Sequence, residues 1–520
     1  MARGQLRLLL DALDVAGTQF YHFMAIMIAG MGLFTDAYDL FSVSLLNVGA
    51  DCGWRSSSAM TTTTTDCVCS RPDQSLTVAI TSIALCGTVP GALVFGRLGD
   101  KIGRKRIYGV TLLLMVVSSM ASALSFGEGT GNLVVTVCFF RFWLGVGIGG
   151  DYPLSATIMS EYSNKRRRGA FMAAIFAMQG FGILAAGLVT MIVSAPLRNK
   201  SPCSKTYDYI WRIVLMFGAI PAALTFYKRM KMPETARFTA LIAHDTNKAT
   251  SDMSSVLNLH MVSEDDEAVN GGLAAGQEEK YGLFSKEFLR RHGIHLVGTT
   301  ACWLLVDITF YSLNMFLTVV DKDNTDQNNK VERISIGKMA ELTGITLGAT
   351  LPGYFVSVAL VDRIGRVRIQ LLGFAMMSIF TLCLAVLHHY EEHRYYNIHI
   401  ELKKTMYAIT LFFANFGPNT TTFIIPAEIF PARLRSTCHG ISAAVGKIGA
   451  IIGVIGFLYL GEKMLFVLFG SNLIGLAFTF LLPETKGRSL EEITGEMEEQ
   501  AQDGAQGVGA EYASCSPVRV

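Results

Sequence analysis

The sequence has 520 residues, of which 51% are hydrophobic and only 17% are charged, and its formal net charge is +2. Soluble domains carry about 25% charged residues, so this composition excludes an ordinary soluble protein. The near-neutral charge gives no electrostatic basis for binding nucleic acid. Many apolar segments reach the roughly 20 residues that cross a bilayer, which predicts an all-α membrane protein whose surroundings are lipid.

Twelve apolar segments follow one another in two groups of six. The polar stretch between the groups predicts a cytoplasmic linker, and a similar stretch forms the tail. The predicted domains are an N-terminal bundle (1–228), the linker (229–292), a C-terminal bundle (293–482) and a cytoplasmic tail (483–520). The predicted spans are 20–48, 74–97, 107–126, 132–160, 169–195, 211–228, 293–320, 336–361, 367–389, 405–427, 436–460 and 463–482.

Basic residues mark the loops that follow even-numbered spans, and these loops share one side of the membrane. Because Lys and Arg are enriched in cytoplasmic loops, that side is predicted to be cytoplasmic, together with both termini. No cleavable signal peptide is evident before the first apolar run. The basic loops contain Lys101, Arg104 and Lys105, then Arg166 and Arg167, then Arg363 and Arg366, and finally Arg433 and Arg435.

The two groups of spans repeat the same loop motifs. The stretch Gly96–Arg104 is echoed by Asp362–Arg366, and Pro233–Thr235 is echoed by Pro483–Thr485. Each echo falls at the same place in its half. Two parallel six-span halves related by an axis along the membrane normal describe the major facilitator fold, and these motifs resemble the loop signatures of that superfamily.

Acidic and basic residues recur together in these loops, and Glu161 with Arg168, seven residues later, is echoed by Glu428 with Arg435. We interpret them as a conformational latch, in which ion pairs and helix caps between the halves hold the outward-open state. The alternative is that the basic residues only set the topology, but an acid at the same place in both halves favours the latch. The predicted latch residues are Asp100, Arg104, Glu161, Arg168, Asp362, Arg366, Glu428 and Arg435.

Glycines crowd the fourth span, where Gly145, Gly147 and Gly150 satisfy a GxGxxG expression. A dinucleotide-binding loop of this type needs a preceding strand and a βαβ unit, which a membrane span does not supply. The motif is therefore not interpreted as a nucleotide site. The glycines are predicted to allow close packing between helices.

The fourth span continues into Gly149–Glu161, whose sequence is GGDYPLSATIMSE. This string resembles the signature of the plant and fungal phosphate:proton symporters of the major facilitator superfamily. The resemblance implies proton-coupled uptake of inorganic phosphate, as dihydrogen phosphate, across the plasma membrane by alternating access. No nucleophile–base pair or metal-ligand spacing is apparent, so no enzymatic activity, cofactor or metal is expected, and the oligomeric state stays open.

Six charged residues lie within the spans, away from the helix ends, and four of them are acids. Charged groups at this depth cost about 2.5–3.5 kcal/mol on insertion scales and usually mark an ion or substrate path. A buried carboxylate without a partner favours its protonated form, which donates a hydrogen bond to an anion. The surplus of acids therefore predicts coupling between proton uptake and anion binding. The six are Asp36, Asp39, Arg141, Asp151, Asp307 and Lys447.

Spacing predicts that polar side chains converge. Trp303, Asp307 and Tyr311 are four residues apart and share one helical face. Asp36 and Asp39 are three residues apart and share another. The resemblance to the phosphate symporters implies a substrate-binding set of Tyr152, Gln179, Trp303, Asp307, Tyr311 and Asn419. It implies that the proton path and its charge partners are Asp36, Asp39, Arg141, Asp151 and Lys447.

Simpler interpretations stay open for these residues. The charged set is also compatible with a structural ion-pair network. Tyr152, Trp303 and Tyr311 are compatible with packing or an interfacial aromatic belt, and Gln179 and Asn419 with hydrogen bonds between helices.

Two alternative functions also stay open. The first is a sugar:proton symporter, because Pro233–Thr235 and Pro483–Gly487 resemble sugar-porter loops. A sugar site needs many amide side chains, whereas this chain has few in its spans and adds acids and tyrosines. The second is a phosphate sensor that signals without moving its ligand.

The resemblance weakens in residues 46–78, 317–348 and 461–468, mostly on the predicted outer side. Whether the first two of these segments leave transport intact is not decided by the sequence. Asn199–Ser201 is a glycosylation sequon on the same side. Four cysteines predicted to lie there form either a disulfide or free thiols, namely Cys52, Cys67, Cys69 and Cys203.

Overall fold

The computed structural model describes residues 14, 19–46, 74–127, 130–195, 203–243, 245, 248–249, 282–320, 343–391 and 399–495. Within these ranges the ordered backbone is helical and contains no strand. This is the expected solution for a chain in lipid, because a helix satisfies its own backbone N–H and C=O groups without water.

The N-terminal half contains six long helices followed by a short one. Five of the six begin and end within five residues of the predicted spans, and α6 is longer at its start. The helices are α1 (Phe20–Leu46), α2 (Gln74–Ile102), α3 (Arg104–Ala123), α4 (Thr130–Tyr162), α5 (Arg168–Ser194), α6 (Cys203–Lys231) and the short α7 (Ala236–Leu241).

The C-terminal half repeats this arrangement with two irregularities. A π-helical turn, Thr346–Thr350, leads into α9, and the tenth span is divided into two helices. The helices are α8 (Lys286–Val320), α9 (Leu351–Ile364), α10 (Arg366–Glu391), α11 (His399–Asn415), α12 (Pro418–Ile429), α13 (Arg435–Leu460), α14 (Met464–Thr479) and α15 (Leu490–Thr494).

Ten segments of the described chain are long and apolar enough to cross a membrane, and one of them, Arg435–Thr479, contains both α13 and α14. Together α11 and α12 form a further crossing, which gives the twelve spans of an all-α membrane protein. The sequence predicts the tenth span as one helix over 405–427, but the helix breaks before Pro418. Proline has no N–H to donate and clashes with the preceding turn, so the chain restarts there.

Two helices extend past their predicted limits towards the linker. The helix α6 continues to Lys231 instead of ending at 228, and α8 begins at Lys286 instead of 293. The predicted boundary of the N-terminal bundle therefore excludes Arg229, which the structure buries among the helices of that bundle.

Close approach of α2 and α4 confirms the packing role predicted for the glycines of the fourth span. A Cβ atom on Gly145 would lie 2.0 Å from the carbonyl oxygen of Ala84, and one on Gly149 would lie 2.2 Å from that of Thr88. Real Cβ contacts are never this short, so only glycine permits this distance between the two backbones.

The two halves meet along two helix pairs that are equivalent by the repeat. In one pair α13 packs against α2, where a Cβ on Gly440 would lie 2.4 Å from the carbonyl oxygen of Ala92. In the other pair α9 packs against α5, where a Cβ on Gly180 would lie 2.9 Å from the ring of Tyr354. We call the end of the bundle at which α2, α4, α9 and α12 finish the basic end, because the basic loops lie there.

Several predictions concern residues outside the described ranges. The sequon at Asn199 and the cysteines Cys52, Cys67 and Cys69 lie there, as does the side chain of Cys203.

Candidate functional site

The predicted face of α8 lies against α13 at the centre of the bundle. The Lys447 ammonium donates to Asp307 at 3.1 Å and to the Tyr311 hydroxyl at 3.2 Å. Trp303 packs one turn away, where its ring leaves no room for a side chain at Gly446. The three residues of α8 therefore converge on one cation, as their spacing predicts.

Lys447 also contacts a residue of the N-terminal half. Its ammonium lies 4.9 Å from the ring centroid of Tyr152 and 5.0 Å from that of Tyr311. A cation over an aromatic face is stabilised by the negative charge density of the ring. Lys447 is 4% exposed and Asp307 is 2% exposed, so the pair is isolated from water. We call Lys447, Asp307, Tyr311, Trp303 and Tyr152 the central site.

Aromatic rings from both halves close the central site on the side of the basic end. Phe176 of α5 lies 4.7 Å from Phe423 of α12, and Phe423 lies 5.4 Å from His439 of α13. His439 in turn contacts the edge of Trp303 at 5.3 Å. Neither Phe423 nor His439 was predicted as a site residue, because apolar and aromatic residues are common throughout membrane spans.

Amide groups form another wall of the site. Asn419 donates to Asn415 at 2.7 Å and to the hydroxyl of Tyr354 at 3.0 Å. Gln179 is 3% exposed, and its Oε1 atom has no hydrogen-bond partner among the described residues. The next residue, Gly180, faces Tyr354, so the predicted residues Gln179 and Asn419 lie on helices of opposite halves that both contact Tyr354.

A second charged pair lies within the N-terminal half. Arg229 donates to Asp151 at 2.6 and 3.4 Å, and its guanidinium lies 3.5 Å from the ring centroid of Tyr108. All three side chains are buried. The sequence did not predict Arg229 here, since a basic residue at the end of an apolar run normally marks the membrane boundary.

Asp36 lies between the two pairs. It is within electrostatic range of Asp151, Arg229, Asp39 and Lys447. Asp36 is fully buried, and neither of its carboxylate oxygens has a hydrogen-bond partner among the described residues. With Arg229 included, four buried acids face three buried bases, and Asp36 is the one of the four whose carboxylate has no hydrogen-bond partner among the described residues.

Asp39 lies against a different set of groups, although it shares a helical face with Asp36. Its backbone carbonyl accepts from Arg141 at 2.9 Å, and its carboxylate accepts from Ser119 at 3.4 Å. A Cβ on Gly218 would lie 2.0 Å from the same carboxylate. Asp39 and Arg141 therefore belong to the packing between α1, α3, α4 and α6 and do not touch Lys447.

At the basic end, two aspartates cap helices of the opposite half. Asp100, at the end of α2, accepts from the N–H groups of Ser436 at 3.2 Å and Thr437 at 2.7 Å, in the first turn of α13. Asp362, at the end of α9, accepts from two N–H groups in the first turn of α5 at 3.1 and 2.8 Å. Carboxylates are stabilised at helix N-termini by unpaired N–H groups and by the helix dipole.

Two buried glutamates hold the arginines of the predicted latch. Glu161 accepts from Arg104 at 3.1 Å and from Arg435 of the opposite half at 3.0 Å. Glu428 accepts from Arg366 at 2.9 and 3.1 Å. These basic residues therefore have specific buried partners, and their role as a latch stays a prediction.

One pairing differs from the sequence expectation. Glu161 contacts Arg435 of the other half instead of Arg168, which lies seven residues away in its own half. Arg168 contacts Asp14 at 3.8 Å and lies within electrostatic range of Glu428. The glutamate of each repeated motif therefore faces the arginine of the motif in the other half.

The repeated Pro-Glu-Thr motifs make hydrogen bonds to the residues of the latch. Glu234 accepts from the N–H of Lys105 at 3.2 Å, and Glu484 accepts from that of Arg366 at 3.0 Å, so each caps an earlier helix of its own half, α3 and α10 respectively. Each tight turn beneath them needs a glycine, because the φ angle is 118° at Gly103 and 111° at Gly365. The threonines complete the repeat, with Thr235 donating to Glu161 and Thr485 donating to Glu428.

A third cluster ties both chain ends to the latch. The buried guanidinium of Arg237, in α7, donates to Asp14 at 2.7 Å and to Glu491 at 2.8 Å. Burial by itself would raise the pKa of the Glu491 carboxyl, but the Arg237 charge and its hydrogen bond lower that pKa below its ordinary value. Arg237 also donates to the backbone carbonyl of Glu161 at 2.7 Å.

The central site holds a cation, a carboxylate and two tyrosine hydroxyl groups, all buried, where the two halves meet. This chemistry suits an anion that exchanges protons with the site. Among the described residues, no three His, Cys, Asp or Glu side chains are placed to hold a metal ion.

Comparison with known proteins identifies the family. The profile of the family described as "Sugar (and other) transporter" matches residues 24–496. A relative named putative inorganic phosphate transporter 1-13, from Oryza sativa subsp. japonica, is 56% identical over 100% of this chain and 99% of its own length. The chain belongs to the inorganic phosphate transporter branch of this family.

Further comparisons give a second phosphate transporter relative and a solved structure of similar fold. A relative named probable inorganic phosphate transporter 1-2, from Arabidopsis thaliana, is 51% identical over 96% of this chain and 99% of its own length. The solved structure of the proton:xylose symporter XylE superposes with a TM-score of 0.70 at 17% identity, covering 91% of this chain and 98% of that one. This phosphate transporter family member therefore has the major facilitator fold.

Proposed function

We propose that this protein imports inorganic phosphate together with protons across the plasma membrane, by alternating access of the central site. The observation that carries the proposal is the buried pair of Lys447 and Asp307 between the two halves. The names of the relatives support the substrate, since both are inorganic phosphate transporters by name.

The mechanism follows from competition for one ammonium group. Asp307 and a phosphate oxyanion both need the charge of Lys447. When Asp307 takes up a proton, it releases Lys447 to bind the anion, and the neutral acid then donates a hydrogen bond of its own. Leaving either member of a buried pair without a partner costs roughly 3–5 kcal/mol. Proton and phosphate therefore each favour binding of the other.

Release reverses this exchange. When the latch at the basic end opens, phosphate departs and Lys447 returns to Asp307, which gives up its proton. The remaining groups of the site orient the substrate, because they supply donors and acceptors around the cation. In this proposal the substrate contacts are Tyr152, Gln179, Trp303, Asp307, Tyr311 and Asn419.

The acids of the N-terminal half serve the proton. Asp36 is the buried acid of this set whose carboxylate has no hydrogen-bond partner among the described residues, and it lies within range of both Lys447 and the Asp151–Arg229 pair. We assign it to the proton path, with Asp151 as its neighbour. Asp39 and Arg141 act as charge partners that hold α1 in place.

The orientation is part of the same proposal. The basic end faces the cytoplasm, because basic loops are retained on that side. Both termini and the linker between α6, which ends at Lys231, and α8, which begins at Lys286, then lie in the cytoplasm. The tail (483–520) begins at the basic end.

Uptake of radiolabelled phosphate by a yeast strain that lacks its own phosphate transporters tests the function. Uptake should fall as the external pH rises from about 5 to 8, because the proton is a co-substrate, and it should collapse with a protonophore. Strict dependence on sodium at constant pH would contradict proton coupling. Inhibition by excess glucose would favour the sugar symporter, and binding without uptake would favour the sensor.

A further inference from the structure

Tyr354 lies beside the central site, on α9. Its side chain is 1% exposed, and its ring packs 5.9 Å from Phe176 of the opposite half. The hydroxyl is within electrostatic range of Lys447 and Asp307, and it accepts a hydrogen bond from Asn419. Tyr354 is therefore the residue of α9 that a ligand bound to Lys447 would contact.

A chain of hydrogen bonds determines which atom of each amide faces Tyr354. Asn415 donates to the backbone carbonyl of Leu411 at 2.8 Å, and a carbonyl only accepts. The carbonyl oxygen of Asn415 is thereby left to accept from Asn419 at 2.7 Å. The second N–H of Asn419 goes to the Tyr354 hydroxyl at 3.0 Å.

Two consequences follow for the atoms that remain. Both N–H groups of Asn419 are used, so the only part of its amide left for a ligand is the carbonyl oxygen, which is an acceptor. The Tyr354 oxygen accepts from Asn419, so its own proton is available to donate, and no described residue accepts it. Gln179 adds another acceptor without a partner among the described residues.

These fixed directions distinguish two anions of similar shape. Dihydrogen phosphate has charged oxygens that accept and O–H groups that donate, whereas sulfate has only acceptors. A donor such as the Tyr354 hydroxyl serves both. A buried acceptor such as the Asn419 oxygen is satisfied by a phosphate O–H but is left unpaired by sulfate, and an unpaired buried polar group lowers affinity roughly five- to 150-fold.

We propose that Tyr354 is a specificity-determining residue of the central site: it donates to a phosphate oxygen and holds Asn419 so that the amide oxygen accepts a phosphate proton. This inference rests on the proposed function. It extends the site by a residue on α9 and assigns selection of protonated oxyanions to the Leu411–Asn415–Asn419–Tyr354 hydrogen-bond chain.

The experiment compares purified full-length wild type with Tyr354→Phe. Phosphate affinity is measured by calorimetry, and sulfate affinity is measured as its ability to displace radiolabelled phosphate. Tyr354→Phe should weaken phosphate roughly two- to tenfold, as expected for one lost hydrogen bond. Because the released amide of Asn419 can then turn an N–H toward the ligand, sulfate should lose less, and the preference for phosphate should fall.

Tyr407→Phe is the matched control. Tyr407 is also buried in the C-terminal half, but its hydroxyl donates to the backbone carbonyl of Leu313 at 3.0 Å. It should leave the preference unchanged. A second variant, Asn415→Ala, frees the amide of Asn419 while keeping Tyr354, and it should reduce the preference with a smaller loss of phosphate affinity.

The outcomes separate the two levels of the proposal. Wild type that binds no phosphate would overturn the proposed function, and this inference with it. Wild type that binds phosphate, with Tyr354→Phe either unchanged or weakened equally for both anions, would overturn only the role of Tyr354. If Tyr354→Phe does not fold, judged by gel filtration and melting temperature, an unchanged preference in Asn415→Ala overturns the inference.

Discussion

At the basic end the two halves share equivalent helix caps and glutamate–arginine pairs, whereas at the central site they contribute different groups. Asp100 and Asp362 cap helices of opposite halves, and Glu161 and Glu428 hold equivalent arginines. In the centre, the C-terminal half supplies the Lys447–Asp307 pair, and the N-terminal half supplies Asp36, whose carboxylate has no hydrogen-bond partner in the part of the chain that the structure describes.

This contrast indicates what a duplicated fold keeps and what it changes. A rocking motion needs equivalent contacts on both sides of the interface, so the repeat is preserved there. Binding one small anion needs one cation and a proton-exchanging acid, so the repeat is lost at the centre. Changes at the central site are therefore expected to abolish the coupling of proton and phosphate transport. Changes at the basic end are expected to shift the equilibrium between conformations.

The largest effect is expected for Asp307→Asn. The amide keeps the size of the side chain but cannot cycle a proton, so accumulation of phosphate against a gradient should be abolished while weakened binding persists. Transport driven by a pH difference in liposomes, together with phosphate binding by calorimetry, measures both. Thr309→Val is a control on the same helix, because Thr309 faces Asn472 instead of Lys447. Proton-driven accumulation by Asp307→Asn would show that the coupling site lies elsewhere.

The next largest effect is expected for Glu161→Gln compared with Glu428→Gln. Removing one partner of a buried ion pair costs roughly 3–5 kcal/mol, so both variants should unfold at lower temperature. Glu161 also holds Arg435 of the other half, so Glu161→Gln should loosen the contact between halves more strongly. Hydrogen exchange in the first turn of α13 measures that loosening. Equal exchange in the two variants would contradict the exchanged pairing.

A smaller effect is expected for Asp100→Asn and Asp362→Asn. Each variant weakens charged hydrogen bonds to two N–H groups, at a cost on the order of 1.5–3 kcal/mol. The Asp100 change should be the larger, because its side chain is 5% exposed and that of Asp362 is 17% exposed. Transport should fall while phosphate binding in detergent persists. Loss of binding in a folded variant would contradict a role confined to the latch.

The smallest effect is a pH dependence at Glu491. Because its pKa in the folded protein is lowered, the ionised carboxyl stabilises the docked α15 above the ordinary pKa of about 4.3. That contribution is lost as the pH falls through the lower folded pKa. The difference in melting temperature between wild type and Glu491→Gln should therefore be present at pH 7 and shrink below about pH 4. Glu287→Gln should show a much smaller difference, because the pairs with Arg290 and Arg291 that lower the Glu287 pKa are exposed to solvent.

The sequence alone determined the membrane class, the spans and which charged residues lie within the spans. Apolar length is a local property, so the spans were predicted within a few residues over most of the described chain. The repeated motifs identified the latch residues, and helical spacing placed Trp303, Asp307 and Tyr311 on one face. Their individual transport roles stay predictions.

Only the tertiary structure decided which partner each buried charge takes. Arg229 looks like a membrane-boundary residue in the sequence but pairs with Asp151. Glu161 pairs with Arg435 instead of Arg168. Tyr354 enters the site from a segment that no motif marked. A span forms because about twenty neighbouring residues prefer lipid to water, and this preference is written in consecutive positions. A buried charge takes the partner that crossing helices bring within about 3 Å, and that depends on packing between segments far apart in the chain.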